Sequence, residues 1–237
     1  LETKLNSNLY RFEKFVSKKF NKKFNKKYEK ILNWSIKNPG EFWSSVWDFC
    51  QVRGAKSNHK IKKSKIFYKN IFLPNSSLNF AQNLLPKETD TKAITFLSEN
   101  GFREERTWKN LHKSVGKLQD FFRKLKVISR DRIAAYTINS IETVEAFLAT
   151  TSIGAIWSSC SPDFGVNGVI ERFRQINPKI LFVTDRYYYN GKEINILKRV
   201  PKILKKIKSV KYLVIINYPG KNFLKKNFKF NKIKVFY

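Results

Sequence analysis

Along the first fifty residues, apolar positions recur with a helical period. Leu9, Phe12, Phe15, Val16 and Phe20, followed by Phe24, Tyr28, Ile31 and Leu32, form one stripe and predict an amphipathic helix from Leu9 to Lys37. Pro39-Gly40 breaks it. Phe42, Trp43, Val46, Trp47 and Phe49 then predict a short aromatic helix over Glu41–Cys50, with its rings in a core. Gln51–Phe72 is polar and basic and reads as loop, and Asn79–Leu85 as a short helix closed before Pro86. From about Thr91 the pattern alternates between two periods. Strands are expected at Ala93–Leu97, Arg132–Thr137, Ala155–Ser158, Lys179–Val183 and Lys211–Asn217. Between them fall helices at Trp108–Leu125 (with Thr107 as its cap), Ser140–Thr151, Gly168–Asn177 and, kinked at Pro201, Ile194–Ile207. Asn100-Gly101 between apolar runs is a hairpin turn, and Tyr218-Pro219-Gly220 another turn. Lys221–Tyr237 is basic and aromatic, with no closing element expected.

Strands alternating with helices imply parallel pairing through right-handed crossovers. The fold class is therefore α/β. A helical and loop extension over residues 1–90 precedes the first, incomplete part of a layered α/β domain with mostly parallel strands over 91–237.

Composition permits this. Hydrophobic residues make up 42 % of 237, enough for a sizeable core. Met is absent and residue 1 is Leu, which reads as a missing or processed start. Leu1–Lys30 has no apolar core segment of a signal peptide, and no run reaches the roughly 18 apolar residues of a membrane span. Cys50 and Cys160 stand far apart, with no second Cys or His at ligand spacing. Neither a metal site nor a disulfide framework is expected, and a reducing cytoplasm fits. The net charge of +30 comes from lysine in scattered pairs such as Lys18-Lys19, Lys62-Lys63 and Lys225-Lys226. Asn, Ile, Phe and Tyr are abundant beside it. All have A/T-rich codons, so genome composition accounts for the excess and no specific nucleic-acid partner is expected. A basic nucleic-acid-binding module stays open as a second class of function.

Familiar catalytic patterns are missing: no Gly-x-Gly-x-x-Gly after a strand, no phosphate loop ending in Gly-Lys-Ser/Thr, no Gly-x-Ser-x-Gly elbow. His59 and His112 have no visible Cys or Asp partner, so no catalytic residue is assigned. Two stretches carry more. In Gly154–Val169 an apolar run ends at Ser161-Pro162-Asp163. This predicts a strand-to-helix corner with Asp163 or Asn167 as cap, at the kind of place where open α/β sheets bind ligands. In Tyr189-Asn190-Gly191-Lys192, an Asn-Gly turn exposes backbone N–H groups and Lys192 adds a mobile positive charge, a combination suited to phosphate.

The wording of Gly154–Val169 resembles the acetoacetyl-CoA synthetases, within the acyl-adenylating CoA ligase superfamily. Similarity extends from about Leu9 to Gly220. Asn33-Trp34-Ser35, Phe42-Trp43 and Trp47-Asp48-Phe49 resemble the N-terminal extension of acetyl- and acetoacetyl-CoA synthetases. Leu78–Leu85 resembles their Leu-Asn-Phe-Ala-Glu-Asn-Leu-Leu, with Gln82 departing from the acidic residue. Arg172–Lys179 and Tyr188–Lys192 continue the match. The resemblance implies an enzyme that adenylates acetoacetate with ATP and Mg2+ and transfers the acyl group to CoA; acetyl- or propionyl-CoA synthetases are the neighbouring alternative. It also implies that the nucleotide end of CoA is held at Tyr189, Asn190, Gly191 and Lys192. Gly191 and Lys192 keep the family's glycine and base there, whereas Tyr189 and Asn190 depart from its first Arg and Gly. The family's ATP phosphate loop, ribose-binding acidic motif and C-terminal catalytic lysine do not occur among these residues. The chain is thus expected to correspond to the first third or so of such an enzyme, to be silent by itself, and to expose a sheet edge.

Overall fold

In the computed structural model, residues 7–224 and 232–237 are described, without the side chain of Phe67. They divide into two compact units, one through Asn79 and one from Phe80 onward. The Lys225-Lys226 pair lies outside the described residues.

The first unit is built on three helices, α1 (Asn8–Phe20), α2 (Tyr28–Lys37) and α3 (Pro39–Phe49). The single helix expected over Leu9–Lys37 is two. Asn21, Asn25 and Lys26 all take positive φ, and the Lys26 N–H is held by Glu13 Oε1 at 2.9 Å. Asparagine enters this left-handed region more readily than other non-glycine residues, and so supplies a break without Gly or Pro. Phe24, within the break, is buried with Phe12, Val16, Ile31 and Trp34. The expected loop over Gln51–Phe72 is partly ordered. β1 (Gly54–Ala55) pairs antiparallel with β4 (Ser77–Leu78), and β2 (Ile61–Lys62) with β3 (Ile71–Phe72), around a 3-10 turn at Phe67–Lys69. Two-residue ladders carry too little apolar alternation to be seen in sequence.

The second unit opens with α4 (Phe80–Leu84) and the antiparallel hairpin β5 (Lys92–Leu97) and β6 (Arg103–Thr107). As expected, its turn contains Asn100-Gly101, with Gly101 at φ 80°. Helix α5 (Trp108–Lys124) follows, with Thr107 as its cap, accepting from the Asn110 N–H at 3.2 Å. Then come β7 (Arg132–Tyr136), α6 (Ile141–Ser152), β8 (Ile156–Cys160), α7 (Val166–Ile176), β9 (Ile180–Thr184), the hairpin β10 (Arg186–Tyr189) and β11 (Lys192–Asn195), α8 (Val200–Lys206), β12 (Tyr212–Ile216) and β13 (Lys234–Phe236). The main sheet is parallel in the order β13-β12-β9-β7-β8.

Alternate residues of the strands face opposite layers. Ile133, Ala135, Ile180 and Phe182 pack with Leu111, Val115 and Phe122 of α5 and Ala146 and Ala149 of α6. Ala134, Tyr136, Leu181, Val183 and Leu213 pack with Val169 and Phe173 of α7 and Val200 and Ile203 of α8. Burial on both sides makes the strands read as continuous apolar runs. The parallel α/β class is borne out.

Three boundaries differ from the sequence reading. The expected helix over Ile194–Ile207 begins as strand β11 and becomes helical only at Val200. Pro201 therefore sits in the first turn, where its missing N–H costs nothing. Neither Asp163 nor Asn167 caps α7: Gly165 holds the cap position without a side-chain bond, and Asp163 Oδ2 instead accepts from Ser161 Oγ at 2.7 Å. The tail does close, because β13 adds a parallel strand to β12, pairing Leu213 with Val235.

Candidate functional site

The chain leaves β7 for β8 on one side, then crosses back past β7 to β9 on the other. Helix α6 of the first crossover lies in one layer and α7 of the second in the opposite layer. Their entrances diverge, leaving a crevice at the carboxyl ends of the strands, the general ligand position of such sheets. A cavity of about 310 Å³ occupies it. Its wall comes from Thr137–Asn139 after β7, Ser159–Asp163 after β8, and Tyr187–Tyr189 of β10.

The corner is held by one node. Tyr136 Oη shares its one proton between the carbonyls of Pro162 (2.9 Å) and Phe164 (2.7 Å). Arg199 Nη1 donates to Tyr136 Oη at 2.7 Å and to Pro162 O at 3.0 Å. Burial pushes the Tyr136 phenol up, against the downward pull of the Arg199 guanidinium. Burial, then the Asp163 charge, push Tyr187 up in the same way. Across the crevice, Thr143 Oγ1 donates to Ile138 O at 2.8 Å and lies 3.1 Å from Thr137 Oγ1. Cys160 points into the buried layer, and burial pushes its thiol up to about 12, so it stays protonated and inert at neutral pH. The corner lines the cavity with the hydroxyls of Thr137, Thr143, Ser159 and Ser161, while its carbonyls at Pro162 and Phe164 are taken up by Tyr136 and Arg199.

Beside the crevice, Tyr189 and Lys192 face each other across the β10–β11 ladder, and Asn190 (φ 50°) with Gly191 (φ 73°) makes the two-residue turn. Positive φ at both central positions is the turn Asn-Gly favours. Asn190, Gly191 and Lys192 are exposed, as is Tyr189. The Gly191 N–H donates to Glu99 Oε1, from the tip of the β5–β6 hairpin, at 2.7 Å.

The hairpin stands on a fully buried carboxylate. Asp185 accepts from the Tyr218 N–H (2.9 Å), the Leu224 N–H (3.2 Å), and Arg186 Nε and Nη2 (3.2 and 3.0 Å). Arg186 also reaches Glu193 Oε2 at 3.3 Å, which accepts from Tyr188 Oη at 2.6 Å. Glu99, Asp185, Arg186 and Arg199 are not marked out by any sequence motif named above. A charged pair directly after the apolar run Ile180–Thr184 is the signal that could have found the second and third. His59 is exposed, and His112, on α5, has its Nδ1 3.3 Å from Glu88 Oε1 and does not line the crevice. Among the described residues no group of three or more His, Cys, Asp or Glu is placed to hold a metal, and no helix is long and apolar enough to cross a membrane.

Comparison with known proteins gives consistent matches. The profile of the AMP-binding enzyme family covers residues 82–233. Acetoacetyl-coenzyme A synthetase of Rhizobium meliloti is 39% identical over 188 residues, 79% of this chain and 29% of that protein. Malonamoyl-CoA synthetase of Penicillium aethiopicum is 32% identical over 219 residues, 89% of this chain and 30% of that protein. The solved acetoacetyl-CoA synthetase of Streptomyces lividans superposes with a TM-score of 0.86 at 25% identity, over 99% of this chain and 36% of that one. The chain thus spans about a third of the length of the proteins it matches.

Proposed function

Because the chain belongs to the AMP-binding enzyme family, we propose that its activity is ATP-dependent ligation of a short 3-oxo carboxylic acid, acetoacetate first, to coenzyme A. The observation that carries this reading is agreement of fold and sequence with proteins named for acetoacetyl- and malonamoyl-CoA, two acids that share a carbonyl β to the carboxylate. In the first step the carboxylate attacks the α-phosphorus of ATP, giving acyl-adenylate and pyrophosphate. In the second the CoA sulfur attacks the acyl carbon, giving thioester, AMP and a proton. Magnesium that accompanies ATP neutralises phosphate charge. The reading places the reaction in a reducing, cytoplasmic setting, which suits the free Cys50 and Cys160.

This chain's part is to bind. Lys192, with the Asn190-Gly191 turn and Tyr189, is assigned to a phosphate at the nucleotide end of CoA. The fit rests on two features: an exposed point charge at the end of a tight turn, and a backbone N–H that already binds an anionic oxygen. None of these 237 residues is assigned a part in either bond-making step. The chain alone is expected to show no ATP–pyrophosphate exchange with acetoacetate; clear exchange would refute that. The site itself is tested by Lys192→Ala, expected to weaken CoA binding about threefold to tenfold in titration calorimetry. An unchanged affinity removes Lys192 from the site.

A further inference from the structure

We propose that Glu99 is a resident anion on the Asn190–Lys192 turn, and that it sets how strongly a phosphate must bind to enter. This rests on reading that turn as a phosphate site.

The tip carrying Glu99 is tied across its base. Ser98 N–H donates to Phe102 O at 2.9 Å, and Ser98 Oγ accepts from the Phe102 N–H at 3.0 Å. Phe102 in turn presses its ring against Gly220, where a Cβ would stand 2.3 Å from the ring; Gly220 also has φ 72°, so the fit needs glycine twice over. The tip is thereby docked on the Tyr218–Gly220 turn, itself fixed by Asp185. From this platform Glu99 reaches Gly191, 92 positions along the chain. A backbone N–H in a left-handed turn is an anion seat, and a carboxylate already occupies it. Glu99 is exposed, so its carboxylate has water to return to when displaced. An entering phosphate gains the N–H and Lys192 but meets a like charge that must swing away. That cost falls on any ligand whose phosphate reaches the turn, which makes Glu99 a residue that sets affinity at this seat.

The test is titration calorimetry of CoA and of dephospho-CoA on the chain and on Glu99→Gln, Glu99→Ala and Lys192→Ala, with thermal melting as the control for folding. Gln keeps the shape and an acceptor oxygen and removes the charge. Both Glu99 variants are expected to bind CoA about threefold to tenfold more tightly, with little change for dephospho-CoA. Inorganic phosphate should shift the Gly191 amide resonance at lower concentration in Glu99→Gln than in the parent chain. If Lys192→Ala weakens CoA binding while the Glu99 variants leave it unchanged or weaker, Glu99 merely braces the turn; the inference falls and the phosphate site stands. If no variant alters CoA binding, the site assignment itself fails and takes the inference with it.

Discussion

The helical unit and the sheet unit enclose aromatic surface to different degrees. Edge-on ring pairs occur in both; in the first, Phe12 meets Phe49 at 5.3 Å and Trp34 meets Phe24 at 5.7 Å. In the second, Phe182 lies in a strand sandwiched between two helical layers, with Phe122 at 6.2 Å and Trp157 at 6.0 Å. The first has one small core and two-residue ladders; the second has a core on each face of a five-stranded sheet. Fully burying one such side chain contributes about 1.5–3 kcal/mol, so the number of fully enclosed residues decides which unit anchors the chain. Phe122, Phe173 and Phe182 are at most 2% exposed, against 4–7% for Phe12, Phe24 and Trp34.

The strongest way to break this comparison is to open a cavity in each core. Phe182→Ala and Trp34→Ala each remove a large ring, at a cost of about 3–5 kcal/mol. By hydrogen exchange, Phe182→Ala should strip protection from Ile180–Thr184 and the neighbouring strands. Trp34→Ala should strip it from Asn8–Phe49 alone. Equal loss in both regions from either variant would mean that the chain unfolds as one body.

A smaller effect sharpens the contrast. Among the described residues, Ser7, Thr107 and Ser140 cap helices with their side chains, whereas α2 starts at Lys27 in extended geometry with no side-chain cap. Lys27→Asp should add about 1 kcal/mol to the first unit, through a cap and a favourable charge at the helix start. A urea midpoint no higher than the parent's would contradict it.

The smallest effect is at the surface. Burial pushes the Asp48 carboxyl up, but hydrogen bonds and charge from Lys19 and Lys56 outweigh it and hold the group below the usual carboxylate range. A folded-state value below the unfolded one gives stability present above about pH 4 and lost as pH falls through the folded value. Lys19→Ala should therefore cost about 0.2–1 kcal/mol at pH 7 and progressively less as the solution is acidified below pH 4. A gap that widens in acid would reverse the sign.

What the sequence made legible follows the same division. Apolar runs such as Ile180–Val183 and punctuators such as Asn100-Gly101 fixed the parallel unit closely, because layered burial and tight turns each leave a local signature. The α1–α2 break was not legible, because Asn21 and Lys26 are ordinary helix-surface residues until tertiary contacts turn them left-handed. At the site, the turn could be read from Asn190-Gly191, but its partner could not: no local rule links Glu99 to Gly191. Arg199 was hidden likewise, since its value lies in carbonyls of Pro162 and Phe164 that only folding brings to it.

The strand order also carries a timetable. β7 pairs with β8, its next strand in the chain, but its other edge is closed only by β9, after α7 has been made. At translation rates of about 5–20 residues per second, the Ile133–Tyr136 edge stays open for a few seconds on each emerging copy. During that interval two growing chains can each offer the other an unpaired apolar strand, so the most protected part of the finished protein is the most vulnerable part of its synthesis.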